Sequence, residues 1–122
     1  MSKNGLRVAD YLSHILEAIS RIDRYTEDLT EVAFLENEQV QDAVIRNIEI
    51  IGEAARNIEQ RHPDFANQHP EVPWSDMYFM RNRVSHGYFA VDLEIVWKTT
   101  QIDLPELAKA VTPLLKSFQK DC

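Results

Sequence analysis

Cysteine is nearly absent from this chain: there is one thiol in 122 residues, Cys122, at the last position. A lone cysteine can form neither an intramolecular disulfide nor a thiolate metal cluster, and at a terminus expected to fray it is a poor catalytic nucleophile. Glycine is almost as scarce. Gly5, Gly52 and Gly87 are too scattered to build a phosphate-cradling loop between a strand and a helix. No apolar run approaches the ~20 residues that a membrane span needs, and the opening MSKNGLRVADYL is too polar for a secretory leader. A cytoplasmic address without a membrane partner is therefore expected. Basic charge is also in deficit, with 13 Lys and Arg against 20 Asp and Glu for a net −7. Such a balance disfavours a protein that coats nucleic acid through its overall field.

What is present is helical patterning. Hydrophobic residues make up 44% and charged residues 27% of a length that suits one domain, residues 1–122. Val8, Leu12, Ile15, Ile19 and Ile22 form one apolar stripe and predict a helix over 5–28, with Asn4 as N-cap. Residues 30–36 read as a connection with room for one helical turn. Val40, Val44, Ile48, Ile51, Ala55 and Ile58 predict a second long helix over 37–61, capped by Asn37 and stopped by Pro63. The stretch HPDFANQHPEVP, residues 62–73, carries three prolines and no periodicity, and reads as a loop. A third helix follows from Trp74 through Met77, Met80 and Val84 to His86, with Gly87 beyond its end. Asp92 fits the N-cap of a fourth helix with Ile95, Val96 and Ile102 on its buried side. Pro105 fits the first position of a fifth, with Pro113 a candidate kink. The expected fold is an all-α antiparallel bundle of four to five helices whose two long helices pair. Narrow apolar stripes on so short a chain also favour a homodimer joined through helices.

Two constellations bear on chemistry. Glu59-Gln60-Arg61-His62 has the Glu-x-x-His spacing of carboxylate-bridged di-metal bundles, but such sites need a second copy, and His14-x-x-Glu17 runs in the opposite order. Neither a metal nor a cofactor is expected. The other constellation follows from charge placement. Residues 27–59 hold nine acids against Arg46 and Arg56, whereas no acid falls between Asp76 and Asp92, where Arg81, Arg83 and His86 stand. Within Met80-Arg81-Asn82-Arg83-Val84-Ser85-His86-Gly87-Tyr88-Phe89 are a fixed cation, an imidazole, an amide and a phenol. On a helix Asn82 and His86 share a face, Arg81 lies about 140° from His86, and its long side chain can swing to the shoulder of that face. A helix C-terminus favours the protonated imidazole. Guanidinium and imidazolium around one phosphate suit an anionic centre undergoing acid–base chemistry. The same residues also fit helix caps or ion-pair partners on a solvated basic turn.

Arg81, four intervening residues, His86, Gly87 and Tyr88 resemble the R-x4-H-x-Y signature of HepT-like toxins in the HEPN superfamily. The flanking blocks are similar as well: the stretch from Arg46 to Ala55, RNIEIIGEAA, Pro73-Trp74 before the motif, and Val91 to Trp97, VDLEIVW, after it. The resemblance covers roughly residues 40 to 107. It implies a homodimeric HEPN-like bundle acting as a metal-independent endoribonuclease, the toxin of a toxin–antitoxin pair, with transfer RNA a substrate of some members. It also implies a minimal nucleotidyltransferase antitoxin as partner, which transfers AMP to the motif tyrosine, here Tyr88. In that frame His86 is the general acid–base, Arg81 the phosphate clamp, Asn82 an orienting group, and Arg83 and Ser85 substrate contacts. AMP on Tyr88 would add bulk and negative charge where RNA phosphate should bind. The alternative is a helical binding module that partners a nucleotidyltransferase and cleaves nothing.

Overall fold

The computed structural model describes residues 7–86 and 92–119, without the side chains of residues 81–86 and 119. Every regular element among the described residues is a helix, with no strand: α1 (Val8–Thr26), α2 (Glu31–Leu35), α3 (Glu38–Arg61), α4 (Pro63–Gln68), α5 (Trp74–His86), α6 (Leu93–Lys98), a π turn (Thr99–Asp103) and α7 (Leu104–Gln119). The predicted all-α class is observed. Among the described residues the seven α-helical segments exceed the expected four to five because two connections, α2 and α4, curl into short helices.

The long helices follow their apolar stripes. Leu12, Ile15 and Ile22 of α1 and Val44, Ala55 and Ile58 of α3 are almost completely buried, and each of these side chains larger than alanine contributes about 1.5–3 kcal/mol on burial. Tyr11, near the start of α1, meets His62, just past the end of α3, with ring centroids 6.3 Å apart, so the two helices run antiparallel. The expected N-cap Asn4 lies outside the described residues. Within them α1 starts after Arg7, whose backbone N–H donates to the Asp10 carboxylate at 3.1 Å. Asn37 caps α3 as predicted, its Oδ1 accepting from the Val40 N–H at 3.0 Å.

Three expectations need correction. Residues 62–73 are not all loop, for Pro63 opens α4. At the first helical position proline's missing N–H costs nothing and its fixed φ is already helical. Ala66 is buried there, and Phe65 packs on His69, Trp74 and Phe118. The expected fifth helix is α7, but Pro105 is its second residue rather than its first. The Leu104 N–H bonds to the Thr99 carbonyl, five residues back, and this wider turn accommodates a proline ring that would otherwise press on the carbonyl four residues before it. Ile95 and Ile102 are 44% and 58% exposed, not buried. Their places inside are taken by Thr99 and Thr100, whose hydroxyls donate back to the Ile95 and Trp97 carbonyls at 2.9 and 2.7 Å. Asp92 does cap α6, with Oδ1 accepting from the Glu94 and Ile95 N–H groups. Helix α7 continues through Pro113 to Gln119. No helix among the described residues is long and apolar enough to cross a membrane.

Candidate active site

Helix α5 carries the sequence motif, and its first half is clamped. Trp74 and Met77 are buried, and the Trp74 indole donates to the His69 carbonyl at 3.1 Å. On the side facing α3, the Ser75 hydroxyl donates to Glu59 at 2.8 Å. One turn further on, Arg56 donates to the Tyr78 hydroxyl and its guanidinium carbon lies 4.5 Å from the centre of the Tyr78 ring. Ser75 beside Glu59 and Tyr78 beside Arg56 make α3 and α5 antiparallel. That register brings the last turns of α5 toward the buried Gly52, where the missing Cβ lets two helices approach closely.

The second half of α5 holds Arg81, Asn82, Arg83, Ser85 and His86. The helical backbone reaches His86, where the sequence predicts it to end. On this helix positions 78, 81, 82 and 85 recur at i, i+3, i+4 and i+7 and share one face. Position 86 follows 82 by one turn, and position 83 falls with 79 on another side. The side-chain geometry of Arg81, Asn82, Arg83, Ser85 and His86, and Tyr88 altogether, lie outside the described residues.

Other places on the described surface suit this chemistry less well. A cavity of about 530 Å³ between α5 and the π turn is floored by Met77, Met80 and Leu107 and rimmed by Asp76, Asp103 and Glu106, a rim that repels phosphate. A second, of about 490 Å³ between α1 and α3, holds Arg46, but that guanidinium faces Glu49 at 3.7 Å with Glu53 beside it. The Glu59-x-x-His62 pair is not assembled as a metal site. Glu59 accepts from Ser75, His62 stands against Tyr11, and no group of three or more potential ligands occurs among the described residues. The Glu71 carboxyl is held below its ordinary value, first by its own backbone N–H and then by the His69 imidazole 3.1 Å away. That pair is on the surface, away from the motif. Arg56, Tyr78, Ser75 and Glu59 are the neighbours that sequence reasoning missed. The one available signal was Arg56 itself, one of two arginines in an acidic stretch.

Comparison with known proteins bears on the family of the whole chain. Residues 15–114 match the Ribonuclease HepT-like family. The chain is 46% identical over 98 residues to the "Probable ribonuclease HepT" of Thermococcus cleftensis, covering 80% of this chain and 86% of that protein. It is 35% identical over 119 residues to a "Putative RNase" of Methanocaldococcus jannaschii, covering 98% and 94%. A "Putative RNase" of Caldanaerobacter subterraneus is 33% identical over 106 residues, covering 87% and 92%. No solved structure matches. An all-helical bundle with an Arg-x4-His motif closing its fifth helix therefore has its class. The chain belongs to the HepT-like ribonuclease family.

Proposed function

We propose that this protein is a metal-independent endoribonuclease, the toxin of a toxin–antitoxin pair, working as a homodimer of single-domain chains in the cytoplasm. The observation that carries the reading is the position of the Arg81–His86 pair on the last turn and a half of a clamped helix, in a chain of this family. RNA brings its own nucleophile, the 2′-hydroxyl, so the enzyme has to move two protons and stabilise charge on phosphorus. His86 takes the 2′-hydroxyl proton as the 2′-oxygen bonds to phosphorus, and a proton returns to the 5′-oxygen as the P–O5′ bond breaks. The products are a 2′,3′-cyclic phosphate and a free 5′-hydroxyl. Arg81 holds the phosphate oxygens, Asn82 orients the imidazole, and Arg83 and Ser85 contact the strand. One histidine per chain for two proton transfers is a reason for two motifs to meet in one cleft.

Silencing follows from Tyr88. A nucleotidyltransferase antitoxin would let the Tyr88 phenolate attack the α-phosphorus of ATP, releasing pyrophosphate and leaving AMP on the oxygen of a residue two positions after His86 in sequence. Transfer RNA is one candidate substrate. The test is cleavage by purified protein in chelator, with end-group analysis. Wild type should cut and leave cyclic phosphate, while Arg81→Ala and His86→Ala should lose at least about 10²-fold in rate. Loss of wild-type cleavage in chelator, or a 3′-hydroxyl product, overturns the mechanism. Loss of the AMP mass increment in Tyr88→Phe, after incubation with antitoxin and ATP, is the expected outcome for the second part.

A further inference from the structure

We infer that Arg56, carried on the ring of Tyr78, is a second phosphate contact that holds the RNA strand one helical turn from Arg81; the inference rests on the ribonuclease reading above. Arg56 is half-buried on α3. Its guanidinium donates to the Tyr78 hydroxyl and lies 4.5 Å from the ring centre. No carboxylate stands within ion-pair distance of it among the described residues, in a chain with 20 acids. Arg7, Arg21 and Arg46 each face an acid three or four positions away. Glu59, at i+3 from Arg56, has the same opportunity and instead accepts from Ser75 at 2.8 Å.

A half-buried cation without a counter-charge is unfavourable unless something supplies negative charge in the working state. Stacking on the ring fixes the plane of the guanidinium, so little freedom is lost when an anion arrives, and the remaining N–H donors match the fork geometry of a phosphate. The position is right for the strand that Arg81 would grip. Tyr78 precedes Arg81 and Asn82 by three and four residues on the same face of α5, about 5 Å along the axis, the scale of one nucleotide step. The contact inferred for Arg56 is an ionic one, through the guanidinium that lies over the Tyr78 ring. This also reconciles an acidic protein with a polyanionic substrate: a short row of placed guanidiniums replaces a broad basic coat.

The experiment uses the full chain and a fluorescein-labelled 2′-O-methyl oligoribonucleotide, which presents the phosphates but lacks the nucleophile, titrated at several salt concentrations. Arg56→Gln is expected to raise Kd about tenfold at low salt and to flatten the slope of log affinity against log salt by about one contact's share, roughly 0.7–1. Arg56→Lys, which keeps charge but loses the planar stack, should recover the slope and only part of the affinity. In cleavage of ordinary RNA the effect should fall on KM rather than kcat. A purely structural tie between α3 and α5 would lower the melting temperature of Arg56→Gln and leave the salt slope alone. Unchanged Kd and slope in Arg56→Gln, with wild type still cutting RNA, overturn this inference alone. So does Arg56→Gln that turns dimer into monomer at constant salt slope, since Arg56 would then serve a second copy of the chain. A wild type that neither binds nor cuts RNA overturns the ribonuclease reading and this one with it.

Discussion

Glu71 and His69 show how little a single exposed pair decides here, and in which direction. The Glu71 carboxyl titrates below its ordinary value because its own backbone N–H and the His69 ring favour the charged form. A carboxyl depressed in the folded state stabilises the fold above its unfolded pKa, and the contribution disappears as pH falls through the folded value. Thermal melts of Glu71→Gln and wild type should therefore differ slightly near neutrality and converge in acid. Divergence in acid would contradict the assignment. Other residues were readable by type but not by surroundings. Arg81 and His86 are singled out by an acid-free window and by the resemblance of their motif and its flanks, whereas Arg56 sits 22 positions before Tyr78 and no local pattern connects them. Phe34 gave no periodic signal either, yet it is completely buried with its ring 5.2 Å from Trp97 and its carbonyl accepting from Gln41.

Helix starts were the most legible elements, because a cap is a contact between neighbours in sequence. Asn37 and Asp92 cap α3 and α6 as their side chains predict, and Thr30 caps the short α2 in the same way. Asp92→Ala should cost about 1 kcal/mol in chemical denaturation, with faster amide exchange over Leu93–Lys98. An unchanged stability would mean that α6 is held by packing alone. The C-terminal run was misread for a reason that is also local in kind. Apolar periodicity assumes one helical pitch, and the π turn at Thr99–Asp103 breaks that pitch at Ile102, though not at Ile95, which precedes it. Two threonines satisfied by their own backbone then occupy buried positions that a hydrophobicity pattern assigns to isoleucine. Helix α4 escaped because prolines were read as breakers, although Pro63 starts a helix as readily as it ends one.

For the whole molecule, dimerisation is the property on which the proposed chemistry turns. Diluting the protein through its monomer–dimer transition should lower specific activity in step with the dimer fraction seen by sedimentation, and a fully active monomer would refute the shared cleft. The sequence by itself determined the all-helical class, the two long paired helices, the motif and its place at the end of α5, because these depend on spacing along a regular helix and on side chains capping their own backbone. Only the tertiary structure decided which face of α5 is clamped, which carboxylates are engaged, and that Arg56 rests on Tyr78 with no carboxylate at ion-pair distance among the described residues. These follow from the antiparallel register of α3 against α5, and that register is set by packing between residues far apart in the chain.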